Sequence, residues 1–168
     1  CGYTEKNLSP CEAQVLQAFQ DNDSTYLLVD KTPFYAEMGG QVGDSGWLAV
    51  HGKKYEVTDT FKDDAGRYLH KIQGLEAGAK LEGETVSLSV DVLRRAAIQR
   101  HHTATHLLHW ALRETLGPHV HQSGSYVGPD RLRFDFSHYE ALTPEQIEKV
   151  ESMTNQAVLS NDPVRWYE

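Results

Sequence analysis

The chain has 168 residues, 39% of them hydrophobic, and 24 acidic side chains against 16 Lys and Arg set a net charge of −8. That is enough apolar material for one domain or two small ones, and the charge argues against broad electrostatic wrapping of nucleic acid. No apolar run approaches the roughly 18 residues of a membrane span and no secretory leader opens the chain, so the expectation is a cytoplasmic protein with no membrane partner.

Residues 1 to about 24 contain a predicted short helix over Glu12 to Phe19, where Val15, Leu16 and Phe19 stand at helical spacing. The cysteines, Cys1 and Cys11, are too few for a disulfide scaffold. From Thr25 to about Val90 the pattern changes to short β-like runs, TYLLVD, GWLAV, KKYEVTDTF, GRYLHKI and TVSLSV, punctuated by Gly, Asp and Asn. This spacing predicts a small barrel or sandwich. Within it TPFYAEMGGQVGDSG (Thr32 to Gly46) has four glycines, but neither the Lys-Ser/Thr of a phosphate loop nor the Gly-x-Gly-x-x-Gly of a dinucleotide site. Its glycines are read as turn and close-approach positions, which leaves Gln41 and the pair Phe34-Tyr35 to be accounted for.

Near Asp91 the period becomes helical. DVLRRAAIQRHHTATHLLHWALRETLG runs about 27 residues before the Gly117-Pro118 stop. HVHQSGSYV and RLRFDFSH then form a predicted hairpin around Gly128-Pro129-Asp130, with Leu132, Phe134 and Phe136 on one face. Thr143-Pro144-Glu145-Gln146 announces a second helix with a capping box, and Ile147, Val150, Met153, Ala157 and Val158 form its expected buried stripe. Asn161-Asp162-Pro163 ends it, and VRWY suggests a further strand. The expected division is a barrel-like part over residues 1–90 and an α+β part over 91–168.

Chemistry concentrates on the long helix. His102, His106 and His109 lie at i, i+4 and i+7 with Thr105 beside them, all on one face. Two imidazoles one turn apart can share a divalent metal. A third at i+7 is about 10.5 Å along the axis from the first, against Zn–N bonds of about 2 Å, so His109 is read as packing or supporting. The peptidase version of the motif places Glu after the first histidine, where this chain has Thr103. Glu114, about 12 Å beyond His106 along the helix, is a poor substitute as general base. The alternative to a metal pair is a helix that carries histidines for packing. Between Arg94 and Arg133 six arginines face only Glu114 and Asp130, a local +4 to which a polyanion should be drawn.

Asp30 to Gly46 (DKTPFYAEMGGQVGDSG), His101 to Gly117 (HHTATHLLHWALRETLG) and His121 to His138 (HQSGSYVGPDRLRFDFSH), with a weaker Gly2-Tyr3, together resemble the editing region of alanyl-tRNA synthetase and the freestanding AlaX-type proteins. The resemblance spans essentially the whole chain. It implies an α+β fold in which a small glycine-rich β-barrel precedes an α+β editing domain of the threonyl/alanyl-tRNA synthetase type. It implies hydrolysis of serine or glycine wrongly esterified to the tRNA for alanine, with the aminoacylated 3′ end of tRNA as partner and Zn2+ as cofactor. The matching positions make His102 and His106 zinc ligands, Thr105 and Gln122 shapers of the pocket for the misattached amino acid, and Gln41 part of the barrel segment facing it.

The family completes its zinc site with a downstream Cys-x-x-x-His element that these 168 residues lack, and neither Cys1 nor Cys11 is followed by His at the required spacing. His101 stands where the synthetases often have Asn. The expectation is therefore a fragment with half its metal ligands, accompanied in a parent synthetase by catalytic and C-terminal domains that would own ATP use. A nonenzymatic RNA-binding or regulatory module of the same fold is the competing reading.

Overall fold

The computed structural model describes residues 10–21, 24–75 and 80–163. These divide into two compact units, residues 1–96 and 97–168.

The first unit is a closed six-stranded antiparallel barrel. Its strands are β1 (Cys11–Asp21), β2 (Ser24–Val29), β3 (Gly46–Val50), β4 (Lys53–Lys62), β5 (Tyr68–Gln73) and β6 (Thr85–Val90), in the order β1-β2-β5-β4-β3-β6. Strict alternation of buried and accessible residues along β2, β3 and β6 sends Leu27, Val29, Leu48, Val50, Val86, Leu88 and Val90 into one core. Closure pairs every strand on both sides and leaves no open edge. The five β-like runs from Thr25 to Val90 are all strands, as the sequence predicts.

The expected helix at Glu12 to Phe19 is instead β1. Ala13 and Val15 face the core, and the register with β2 shifts between Val15↔Val29 and Gln17↔Leu28. Leu16 is the extra residue of this β-bulge and turns outward, 53% exposed. The bulge breaks the period of two, so the apolar positions mimic helical spacing although the strand is paired on both sides.

The glycine-rich stretch makes tight turns. Gly39 and Gly40 have φ of +62° and +85° between the paired residues Met38 and Gln41, a conformation that glycine adopts without penalty. At Gly43 a Cβ would lie 2.1 Å from the Thr60 carbonyl oxygen, so β4 approaches the backbone too closely for any side chain.

Helix α1 (Val92–Leu116) is capped by Asp91, whose carboxylate accepts from the Arg94 amide at 3.0 Å, and stops at Gly117 with φ +116°. Its first residues belong to the barrel unit and the rest to the second unit. There β7 (Gln122–Val127) and β8 (Leu132–Phe136) form the expected hairpin, followed by α2 (Pro144–Ser160). Thr143 and Gln146 exchange the two bonds of a capping box. Ala111, Leu112, Val120 and Val150 form this unit's core, with Leu108, Phe134, Phe136 and Met153 against it.

The predicted buried stripe of α2 is only partly buried. Val150 is buried, Met153 and Ala157 are half-buried, and Ile147 and Val158 are 46% and 54% exposed. The small core of this unit reaches the helix at Val150 and Met153 and extends no further along it. The strand suggested at VRWY lies outside the described residues, as do Cys1 and Gly2-Tyr3.

Candidate functional site

An α-helix places residues four apart on one face, and α1 brings His102 and His106 together with their Nε2 atoms 3.2 Å apart and ring centroids 5.1 Å apart. Burial, and then the neighbouring His106, hold the His102 pKa below the ordinary imidazole value, which favours the neutral form that can donate a lone pair. Two nitrogens bound tetrahedrally to one zinc at about 2.0–2.1 Å are about 3.4 Å apart. The observed spacing therefore fits two ligands of one ion. Among the described residues no group of three His, Cys, Asp or Glu side chains converges as a metal cage.

The other predicted site residues are divided between the two units. Thr105 is 7% exposed, and its hydroxyl donates to the His101 carbonyl at 2.8 Å, leaving the oxygen as an acceptor. His101 anchors the helix to the hairpin turn through Nδ1 and the Gly128 carbonyl, 2.7 Å apart. Gln122 opens β7, exposed, opposite Phe136 across a register shift. His109 packs its ring on Phe134 at a centroid distance of 5.1 Å, in keeping with a packing role. Gln41 belongs to the barrel unit, where it is 3% exposed and closes the Met38 turn through its backbone.

The arginine-rich region presents less charge than its composition suggests. Arg95 is buried against Asp44, Arg94 donates to the Gly43 carbonyl at 2.7 Å, and Arg133 pairs with Asp135 at 3.1 Å. Arg100 and Arg113 remain exposed on α1.

Two polar centres inside the barrel unit escaped the sequence reading. Asp44 and Arg95, each with a side chain 1% exposed, form a buried ion pair in which the guanidinium Nε reaches both carboxylate oxygens at 2.9 Å. The Tyr35 amide donates to the same carboxylate at 2.7 Å, and Arg95 Nη2 donates to the Pro33 carbonyl at 3.1 Å. This pair ties the glycine-rich stretch to the start of α1 and is a scaffold for the loop bearing Gln41. His70 is fully buried, with Nδ1 at 3.1 Å from the Leu27 carbonyl and Nε2 at 2.7 Å from the Thr32 hydroxyl. The carbonyl can only accept, so Nδ1 carries the hydrogen and Nε2 accepts from Thr32. Burial lowers the His70 pKa to about 4. Neither centre has a local motif, because the partners are separated by 51 and by 38 to 43 positions in the chain.

Comparison with known proteins places this architecture. The family described as tRNA synthetases class II (A) matches residues 6–94, and the chain belongs to that family. It is similar to the alanine–tRNA ligase of Opitutus terrae, with 50% identity over 161 residues covering 94% of this chain and 17% of the relative. It is likewise similar to the alanine–tRNA ligases of Acetivibrio thermocellus (48%, covering 95% of this chain and 19% of the relative) and Thermus thermophilus (47%, covering 95% and 19%). The chain thus spans less than one fifth of the length of these relatives.

Proposed function

We propose that this chain is the proofreading part of an alanine–tRNA ligase, hydrolysing the ester of serine or glycine wrongly attached to the tRNA for alanine. The observation that carries the reading is the His102–His106 pair, whose 3.2 Å spacing suits a shared zinc ion, in a chain similar over 94% of its length to an alanine–tRNA ligase. The task has a physical rationale. Small steric differences between amino acids are worth only about 1–3 kcal/mol at a synthetic site, so a second, hydrolytic sieve is required for accuracy.

In this reading His102 and His106 hold Zn2+, with its remaining ligands supplied from outside the described residues. Bound there, zinc would polarise the ester or a water molecule, or orient the terminal adenosine. Thr105, its proton committed to His101, can accept a hydrogen bond from the hydroxyl of a misattached serine, a contact that alanine cannot return. Gln122 would contribute an amide donor and acceptor at the pocket. Partners are the 3′ end of aminoacylated tRNA and the other domains of the ligase.

The test replaces the matching segment of the Opitutus terrae enzyme with this chain and follows serine release from mischarged tRNA. His102→Ala and His106→Ala should each lower both zinc content and serine release by at least tenfold. Unchanged release with full zinc in either variant contradicts the ligand assignment, whereas no release from a zinc-filled protein favours a nonenzymatic RNA-binding module.

A further inference from the structure

The barrel unit contains a groove of about 510 Å³, all of whose lining residues precede Ala97. This size falls within the roughly 300–1,000 Å³ range of ligand sites. Leu28 and Phe34 form apolar wall, while Leu16 and Tyr68 border it with 53% and 37% exposure. Leu16 is there because of the β1 bulge, a device that re-aims side chains and is common beside functional sites. The lining carries Lys31, Arg67 and Arg95 against Asp30 alone, in a chain whose overall charge is −8.

These charges are not equally available. Arg95 is spent on Asp44, and the Asp30 carboxylate accepts from the Gln14 amide at 2.7 Å. Arg67 touches Asp63 through Nε at 2.7 Å yet keeps 54% of its side chain exposed. Lys31 is exposed and forms no salt bridge among the described residues. Lys62 adds its ammonium 5.0 Å from the centre of the Tyr68 ring. On the same outer face of β2 as Leu28, Tyr26 stacks with Phe19 at 5.5 Å and meets Phe61 edge-on at 5.7 Å.

An aromatic and apolar surface edged by cations matches a ligand that has both a flat apolar face and a phosphate. We infer that this groove binds single-stranded RNA, with a base against Tyr68 and Leu16 and its phosphates toward Lys31 and Arg67. An acidic peptide would satisfy the cations but would make no use of a stacking surface. The inference rests on the proposed tRNA partner for the identity of the RNA, and it assigns the barrel a share in holding it.

The test titrates a fluorescein-labelled RNA hexamer of mixed sequence with the 168-residue chain at low salt and reads anisotropy. Base stacking on an aromatic side chain is worth about 1–3 kcal/mol, so Tyr68→Ala should weaken binding about tenfold. Lys31→Glu and Leu16→Glu should weaken it similarly, and Lys149→Glu, on α2, should leave it unaltered. Tyr68, Lys31 and Leu16 sit at the surface, so circular dichroism can verify that the variants fold. Failure of the hexamer to bind, equal binding by all variants, or displacement of the hexamer by an acidic hexapeptide at lower concentration overturns the inference. Hexamer binding without serine release removes only the proofreading reading, whereas serine release that persists when the hexamer does not bind removes only this one.

Discussion

At the scale of single residues, the barrel unit depends on charges that the solvent never sees. Burying Asp44 and Arg95 costs several kcal/mol per ion, offset by their mutual bonds and by the Tyr35 amide and Pro33 carbonyl. Removing one partner leaves the other charged and dry. Arg95→Ala should therefore destabilise the barrel by about 3–5 kcal/mol, read as a lower urea midpoint with an unchanged slope. A loss below about 1 kcal/mol would show that the pair contributes little to stability. The histidine pair on α1 has a different logic: burial, and then His106 beside it, hold the His102 pKa down and favour the neutral ring that can offer a lone pair to an ion. A sequence shows the spacing of these histidines at once, because a helix converts four positions into one turn. It does not show Asp44 and Arg95 as partners, because their contact joins a loop to a helix across 51 positions.

At the scale of elements, strands whose apolar residues alternate strictly are legible, and β2, β3 and β6 follow directly from Thr25 to Val29, Gly46 to Val50 and Thr85 to Val90. The capping box of α2 is equally plain, since Thr143 and Gln146 are local partners. β1 is misread because one bulged residue, Leu16, changes the phase of its pattern. The stripe of α2 is misread because periodicity reports an apolar face without saying how much core is present to cover it. The β2–β5 pairing carries a pH dependence of its own through His70. An unfolded histidine takes up a proton below about pH 6.5, whereas His70 in the barrel stays neutral down to about pH 4. The unfolded state therefore binds more protons in that window, and stability is full above it and falls as pH drops through it. We expect the barrel to lose about 2 kcal/mol between pH 7 and pH 5, followed by urea denaturation on barrel amides, and His70→Gln to flatten that dependence. An equally steep decline in the variant would assign the effect to other groups.

At the scale of the whole molecule, the chain divides into a closed barrel and a small α+β unit. The barrel gives a rigid frame for the glycine-rich stretch and for Gln41, and the second unit gives an imidazole pair on a long, well-capped helix. The fold class and order of these parts were legible from motifs distributed along the chain. Of the expected zinc site, the sequence shows the spacing of His102 and His106 and no more, because metal ligands must converge in space and two are all that α1 can offer on adjacent turns. The proposed proofreading requires selectivity as well as hydrolysis. In the proposed role an acceptor such as Thr105 would reward the hydroxyl of serine, a contact that the correct alanyl ester would lack. The most direct measurement compares the single-turnover release of serine and of alanine from the same alanine-accepting tRNA, by this chain in the Opitutus terrae framework with zinc content recorded. Serine should be released at least tenfold faster than alanine, and His102→Ala should abolish that release. Equal release of the two amino acids, or release of neither from a zinc-filled protein, would contradict the proposed proofreading.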